Sequence, residues 1–435
     1  MHLLPPVIAT TMANFGVLLL LAALVQHATC QIKGVNLGGW LLVEKWITPS
    51  LYDSTVADDE WALCSDLGKR KCAAVLRNHW KTFINQADFK DIKTAGLNTV
   101  RIPIGYWAID LLDYEPYVSG QFSYLTQAVQ WAGEAGIGVI ISLHGAPGSQ
   151  NAQENSGYDA ANSFFSNTSN IDRTLHVLSN LTQEFSQSQY GDAVKSIELL
   201  NEPRLTSTFT LEDLTGFYAS GFNAVRAANH DGSINVTIHD AFQLFSTWKD
   251  YGEDKSKTTA PSTSNVLLDT HQYYPYAGRS NLSQNEILRS VCSISKQLKQ
   301  DVQESKLPST FVGEWSLATS EGQVSSDVID NTKAYHHWLQ LFFEAQNSAY
   351  SPNGHGQASI GWIFWTWKTE NDANMWSYRQ GITEGYIPSN VSDDTLFRYK
   401  ADQDGCITGG ANPTVKPTLL TLTMLVTFVM VALSC

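Results

Sequence analysis

Eight short apolar runs recur along this chain, at residues 34–37, 99–104, 138–143, 196–200, 235–238, 265–269, 310–312 and 360–365. Between them lie stretches with helical periodicity, at 83–95, 125–135, 171–185, 211–228, 287–302 and 332–345. Strand-length and helix-length patterns that alternate imply a parallel sheet covered by helices, because parallel neighbours need a crossover between them. The strand runs are almost wholly apolar rather than alternating, as expected where both faces are buried. Eight units over roughly 370 residues suit a (β/α)8 TIM barrel with enlarged loops, in one catalytic domain over residues 31–408. An open doubly wound sheet would carry a Gly-rich phosphate loop, and the sequence has none. The polar stretch 246–264 reads as an exposed loop insertion.

The two ends read differently. Residues 1–30 carry an apolar stretch ending in Ala28-Thr29-Cys30, the pattern of a secretory signal peptide with the mature chain starting near Gln31. Residues 409–435 combine small residues at Gly409, Gly410 and Ala411, a polar spacer and a terminal apolar run, which together match a glycolipid-anchor (GPI) signal. A plain membrane span is the competing reading, but no basic residue follows the run. Secretion to a cell surface or cell wall is therefore expected. The net charge of −14, with no Lys/Arg cluster, argues against nucleic acid and against an anionic membrane surface as partners. A membrane contact is expected only through the C-terminal lipid, and a monomer is expected.

Six cysteines are present, but Cys30 and Cys435 fall in the two end segments, leaving Cys64, Cys72, Cys292 and Cys406. Four in a secreted chain suggest two disulfides. Of the three possible pairings the expected one joins Cys64 to Cys72, closing a short loop, and Cys292 to Cys406, tying down the C-terminal segment. Asn167, Asn180, Asn235, Asn281 and Asn390 each begin a glycosylation acceptor sequence. No His is placed at metal-ligand spacing, so no metal is expected, and His336 and His337, adjacent on a helical stretch, cannot face one ion.

Polar residues gather at the C-terminal ends of the predicted strands, the face on which barrel active sites are built. Arg101 lies in the second strand, His144 ends the third, Asn201 and Glu202 end the fourth, His271 and Tyr273 follow the sixth, Glu314 ends the seventh and Trp365 the eighth. Two positioned carboxyls can cleave a glycosidic bond, one protonating the leaving oxygen and the other facing the anomeric carbon, and such cleavage requires no organic cofactor. Arg101, in an apolar run, needs a carboxylate partner, and Glu314 is the natural one, kept ionised as a nucleophile. Glu202 as the acid needs its pKa raised from about 4.3 toward roughly 6. Asn201 is placed to bond a sugar 2-hydroxyl. The thirteen Trp and seventeen Tyr supply flat faces on which sugar rings stack.

The runs Gly34-Val35-Asn36-Leu37-Gly38-Gly39-Trp40, Val100-Arg101-Ile102-Pro103-Ile104-Gly105-Tyr106-Trp107, Leu143 to Asn151, Asn201-Glu202-Pro203 and Gly313-Glu314-Trp315-Ser316 resemble glycoside hydrolase family 5, and within it the exo-1,3-β-glucanase branch. The resemblance extends from about Gly34 to Cys406. It implies a retaining mechanism with Glu202 as acid/base and Glu314 as nucleophile. It also implies supporting roles for Arg101, His144, Asn201, His271 and Tyr273, a Trp365 platform, and Glu44 on the hydroxyls of the terminal glucose. Glu154 and Asn155 occupy positions that limit the pocket to a chain end. The resemblance further implies an aromatic clamp for the acceptor sugar, of which Tyr276 keeps one half while Gln153 replaces the other. The expected substrate is a β-1,3-glucan, releasing glucose by hydrolysis or passing it to a second glucan in cell-wall metabolism. An endo-acting β-glucanase or mannanase of the same family is the rival enzyme, and a non-catalytic anchored glucan-binding wall protein is the rival of another class.

Overall fold

The computed structural model describes residues 31–229, 231–249, 251, 266–276, 278–305, 307–320, 332–352, 359–371, 373–402 and 404–407. The expected signal peptide, the lipid-anchor segment and most of the 246–264 insertion lie outside the described residues. Eight parallel strands close into a barrel in sequence order: β1 (Ile32–Asn36), β2 (Thr99–Gly105), β3 (Gly138–Gly145), β4 (Val194–Glu198), β5 (Asn235–His239), β6 (Val266–Gln272), β7 (Ser309–Trp315) and β8 (Ser359–Phe364). β8 returns to pair with β1 through Ile32 to Val35. Every residue of β2 and β3 is buried, which is why those stretches lack a polar alternation.

Helices cover the barrel: α1 (Glu60–Thr82), α2 (Gln86–Thr94), α3 (Gln121–Ala135), α4 (Thr168–Phe185), α5 (Leu211–Ala228), α6 (Gln284–Ser305), α7 (Thr332–Tyr350) and α8 (Tyr378–Glu384). Their ends follow local chemistry. Asn85 with Asp88, and Thr210 with Asp213, form capping boxes at the starts of α2 and α5, satisfying amide groups that have no partner inside a helix. Gly136 ends α3 in the left-handed conformation that a side chain disfavours. α1 and α8 are absent from the sequence reading; α1 breaks at Gly68 (φ 71°), between its two cysteines.

Both expected disulfides are present, Cys64 with Cys72 and Cys292 with Cys406. The 246–264 stretch is not wholly exposed, as Trp248 is buried and its Nε1 donates to the Asp240 carbonyl at 3.0 Å. The main core fills the space between barrel and helices, and a second small cluster of Ile140, Phe311 and Ile363 plugs the inside of the barrel. Among the described residues no helix is long and apolar enough to cross a membrane.

Candidate active site

One guanidinium organises the C-terminal end of the barrel. Arg101, fully buried on β2, donates from Nε to Glu198 Oε2 at 2.8 Å and from Nη1 to Glu314 Oε1 at 2.8 Å. Its Nη1 also reaches Asn36 Oδ1 and His144 Nε2, both at 3.0 Å, and Nη2 reaches Asn201 Oδ1 at 2.7 Å. Asp269 Oδ2 stands 3.5 Å from Nε. An arginine has no acceptor, so His144 Nε2 accepts and the ring is neutral, as burial and Arg101 both favour. The sequence reading required one carboxylate for Arg101. The structure supplies three.

Glu314 lies within β7 and Glu202 four residues beyond β4. Gly313 is an extra residue in β7, since Thr270 pairs with Val312 and His271 with Glu314. This bulge turns Glu314 into the barrel, three residues after the inward-facing Phe311, where a regular strand would alternate. Leu199 and Asn201 keep strand-like amide bonds to Thr237 and Leu143, and Glu202 then turns inward at φ 46°, a conformation costing about 1–3 kcal/mol in a residue with a side chain. Between the two carboxyls stands His271: its Nδ1 is 2.7 Å from Glu202 Oε1 and 3.4 Å from Glu314 Oε2. Tyr273 donates its hydroxyl to Glu314 Oε2 at 2.9 Å, and Asn155 Nδ2 donates to Glu202 Oε2 at 2.7 Å.

The charge pattern departs from the expected one. Burial pushes Glu202 up, but the His271 and Asn155 hydrogen bonds and the nearby Arg101 outweigh it and hold the carboxyl below its ordinary value. Glu314 is pushed up to about 7, burial and the Glu202 and Asp269 charges outweighing His271 and Arg101. His271 is raised well above the usual imidazole range: burial opposes its charge, but Glu314, Asp269 and Glu202 surround it. The proton expected on Glu202 is therefore drawn toward the imidazole 2.7 Å away.

The remaining expected residues line the walls. Glu44 is buried and pushed well up by burial and by Glu154, Glu314 and Glu202; its Oε2 accepts from Trp46 Nε1 at 3.1 Å. Glu154 and Asn155 lie half-buried on a loop held from behind by α1, through Trp61 N to the Gly157 carbonyl at 3.0 Å and Asp159 N to Asp59 Oδ2 at 2.9 Å. Trp365 follows β8 and stands nearly parallel to His144, their centroids 5.7 Å apart. Tyr276 is 60% exposed at the rim, edge-on to Tyr273, and Gln153 is half-buried on the Glu154 loop. Of the acceptor asparagines, Asn167 and Asn281 are exposed, whereas Asn180, Asn235 and Asn390 are half-buried.

Residues 68–371 match the family profile described as Cellulase (glycosyl hydrolase family 5). This chain belongs to glycosyl hydrolase family 5. A relative named probable glucan 1,3-beta-glucosidase A, from Aspergillus niger, is 36% identical over 393 residues, covering 83% of this chain and 88% of the relative. Glucan 1,3-beta-glucosidase 1 of Schizosaccharomyces pombe is 34% identical, covering 86% and 92%. The crystal structure of rutinosidase from Aspergillus niger shares the fold, with a TM-score of 0.67 at 24% identity over 82% of this chain and 98% of that one. The chain is thus a glycoside hydrolase on a (β/α)8 barrel.

In this family 5 enzyme the sequence reading misses four buried polar groups at the centre. Glu198 and Asp269 flank Arg101, Asn36 Nδ2 bonds the Gly313 carbonyl at 2.8 Å, and Gln150 Nε2 bonds the carbonyls of His144 and Asn201 at 2.6 and 2.8 Å. For Asn36, Glu198 and Asp269 the one sequence signal is a charged or amide residue inside an apolar run, and Gln150, in the loop from Gly145 to Asn151, has none. Glu202, His239 and His271 offer ligand atoms within 4.8 Å of one another. His239 has no lone pair to give a cation, because its Nδ1 accepts the Ala241 amide at 2.9 Å and the ring proton then sits on Nε2.

Proposed function

We infer that this enzyme is a retaining, exo-acting glucan 1,3-β-glucosidase in which Glu314 is the nucleophile and Glu202 the acid and base. The observation that carries the reading is the pair of carboxyl oxygens 2.7 and 3.4 Å from one imidazole nitrogen. Oxygens that share a neighbour this closely fall short of the ~6.5 Å at which water-activating inverting pairs begin. Glu314 attacks the anomeric carbon while Glu202 protonates the departing oxygen. Water activated by Glu202 then releases glucose from the covalent intermediate, and a second glucan in its place gives transglycosylation.

The relatives' names support β-1,3-glucan as substrate, and the loop bearing Glu154 and Asn155, folded against Glu202, supports attack at a chain end. Secretion, a C-terminal lipid anchor and a role at the cell wall belong to the same reading and rest on the end segments of the sequence. Proton NMR of products from a β-1,3-glucan tests it. Glucose appearing first as the β anomer supports exo cleavage with retention; mixed oligosaccharides would move the reading to an endo-acting enzyme, and no product to a binding protein.

A further inference from the structure

Asp269 is one of the three carboxylates around Arg101, and its placement is demanding. It is fully buried on β6, and its Oδ1 accepts the Gly313 amide at 2.8 Å. A Cβ on residue 313 would lie 2.1 Å from both carboxylate oxygens, so the bulge glycine that turns Glu314 inward also makes room for this carboxylate. Oδ2 has no hydrogen bond and stands 3.5 Å from His271 Nε2, which has none either. Arg101 Nε, at the same distance, is already committed to Glu198. Two buried, complementary atoms therefore face each other across a gap that a shift of a few tenths of an ångström would close.

The ring these atoms control meets charge from every side. His271 faces Glu202 and Glu314 through Nδ1 and Asp269 through Nε2; the His239 ring lies 4.4 Å from its own, Tyr273 bonds Glu314 beside it, and Arg101, His144, Glu198 and Asp240 also stand around it. With Nε2–H toward Asp269, Nδ1 is left to face Glu202 either as a bare lone pair or as an N–H. This is the logic by which a buried aspartate fixes a catalytic histidine.

We propose that Asp269 is a positioning residue for the acid step, holding His271 so that His271 and Glu202 share one proton across their contact. On substrate arrival the Nδ1–H bond breaks as an O–H bond forms on Glu202 Oε1. That O–H bond breaks in turn as the leaving oxygen takes the proton. The imidazole ends neutral with its remaining proton on Nε2, beside Asp269. The proposal rests on Glu202 being the acid.

The sign of a pH shift separates this from simpler roles. If the proton is shared, removing the Asp269 charge makes the pair give it up more easily. In Asp269→Asn the basic limb of kcat/KM on a β-1,3-linked glucotriose then moves down by about one pH unit, the usual effect of an opposite charge at this range. The shift vanishes when Asp269→Asn is added to His271→Gln. If His271 is only a fixed cation, its loss raises Glu202 and moves the limb up; if Asp269 is only structural, Tm falls and the limb stays. Either result overturns the proposal. Should Asp269→Asn not fold, nitrogen-15 NMR of His271 in the wild-type enzyme decides. A neutral ring protonated at Nε2, charging as pH falls, supports sharing, and one protonated at Nδ1 excludes it. These shifts read the contact whichever glycoside is cleaved, so a wrong substrate and a wrong relay give different results.

Discussion

The inside of the barrel holds two layers, separated by one pleat, that do opposite things. In the lower layer Ile140, Phe311 and Ile363 close an apolar plug, with Ile32, Leu267 and Ile360 packed around it. Two residues further along β6, Leu267 gives way to Asp269 and then His271; on β7, Phe311 gives way through the bulge to Glu314. The lower layer gains from leaving water. The upper one buries Glu198, Asp269 and Glu314 around a single guanidinium and so works against folding unless every charge is matched. Stability and chemistry are thus assigned to adjacent layers of the same strands, and a substitution in one should leave the other's readout unmoved.

The largest expected effect is in the upper layer. Glu314→Gln should lower kcat on the order of 10⁴-fold, with a circular dichroism spectrum and folded fraction matching wild type; turnover near wild type would remove Glu314 from the nucleophile role. In the lower layer Phe311→Ala should cost about 3–5 kcal/mol in urea unfolding through the cavity it leaves, while kcat per folded molecule stays unchanged. A comparable loss of kcat there would mean that the plug sets the geometry above it and that the layers are not separable.

A third test asks whether the upper layer costs stability. The Glu314 carboxyl sits at about 7 in the folded enzyme against an ordinary 4.5. A raised carboxyl contributes stability that is complete below the unfolded value and is lost as pH rises through the folded one. Glu314→Gln should therefore gain on wild type between about pH 4.5 and about pH 7, by no more than about 1.4 kcal/mol per pH unit, and the gain should level off above that range. A constant difference across that range would show that Arg101 and His271 already compensate the charge.

The two layers were not equally legible. The barrel could be read because strands buried on both faces leave unbroken apolar runs, and Arg101 could be read because a charge in such a run demands a partner. Glu198 and Asp269 could not, since nothing in residues 196–200 or 265–269 says which way a side chain points until the strands are closed. The bulge at Gly313 is invisible for the same reason: it appears only as a register shift against β6. α1 was missed because Gly68 interrupts it and much of its surface is polar, so no continuous apolar stripe marks it. That Glu202 and Glu314 meet at the mouth of the barrel could be read from the sequence, but the distribution of charge between them could not, because it depends on His271 standing between the two.

Above the charged layer lies a rim in contact with solvent, and there the separation should be most complete. Gln153 is half-buried and Tyr276 is 60% exposed, so neither contributes much to the core, and Gln153 stands where the family resemblance places an aromatic partner for Tyr276. Gln153→Phe offers an incoming sugar a second face on which to stack, a contact worth about 0.5–1.5 kcal/mol between aromatic groups. Such a contact favours a glucan over water as acceptor and leaves bond cleavage alone. The share of transfer products at high glucan concentration should rise severalfold, with Tm and the rate of glycosidic cleavage unmoved. If cleavage slows instead, the Glu154 loop has shifted against Glu202 through Asn155, and the rim is then coupled to the charged layer beneath it.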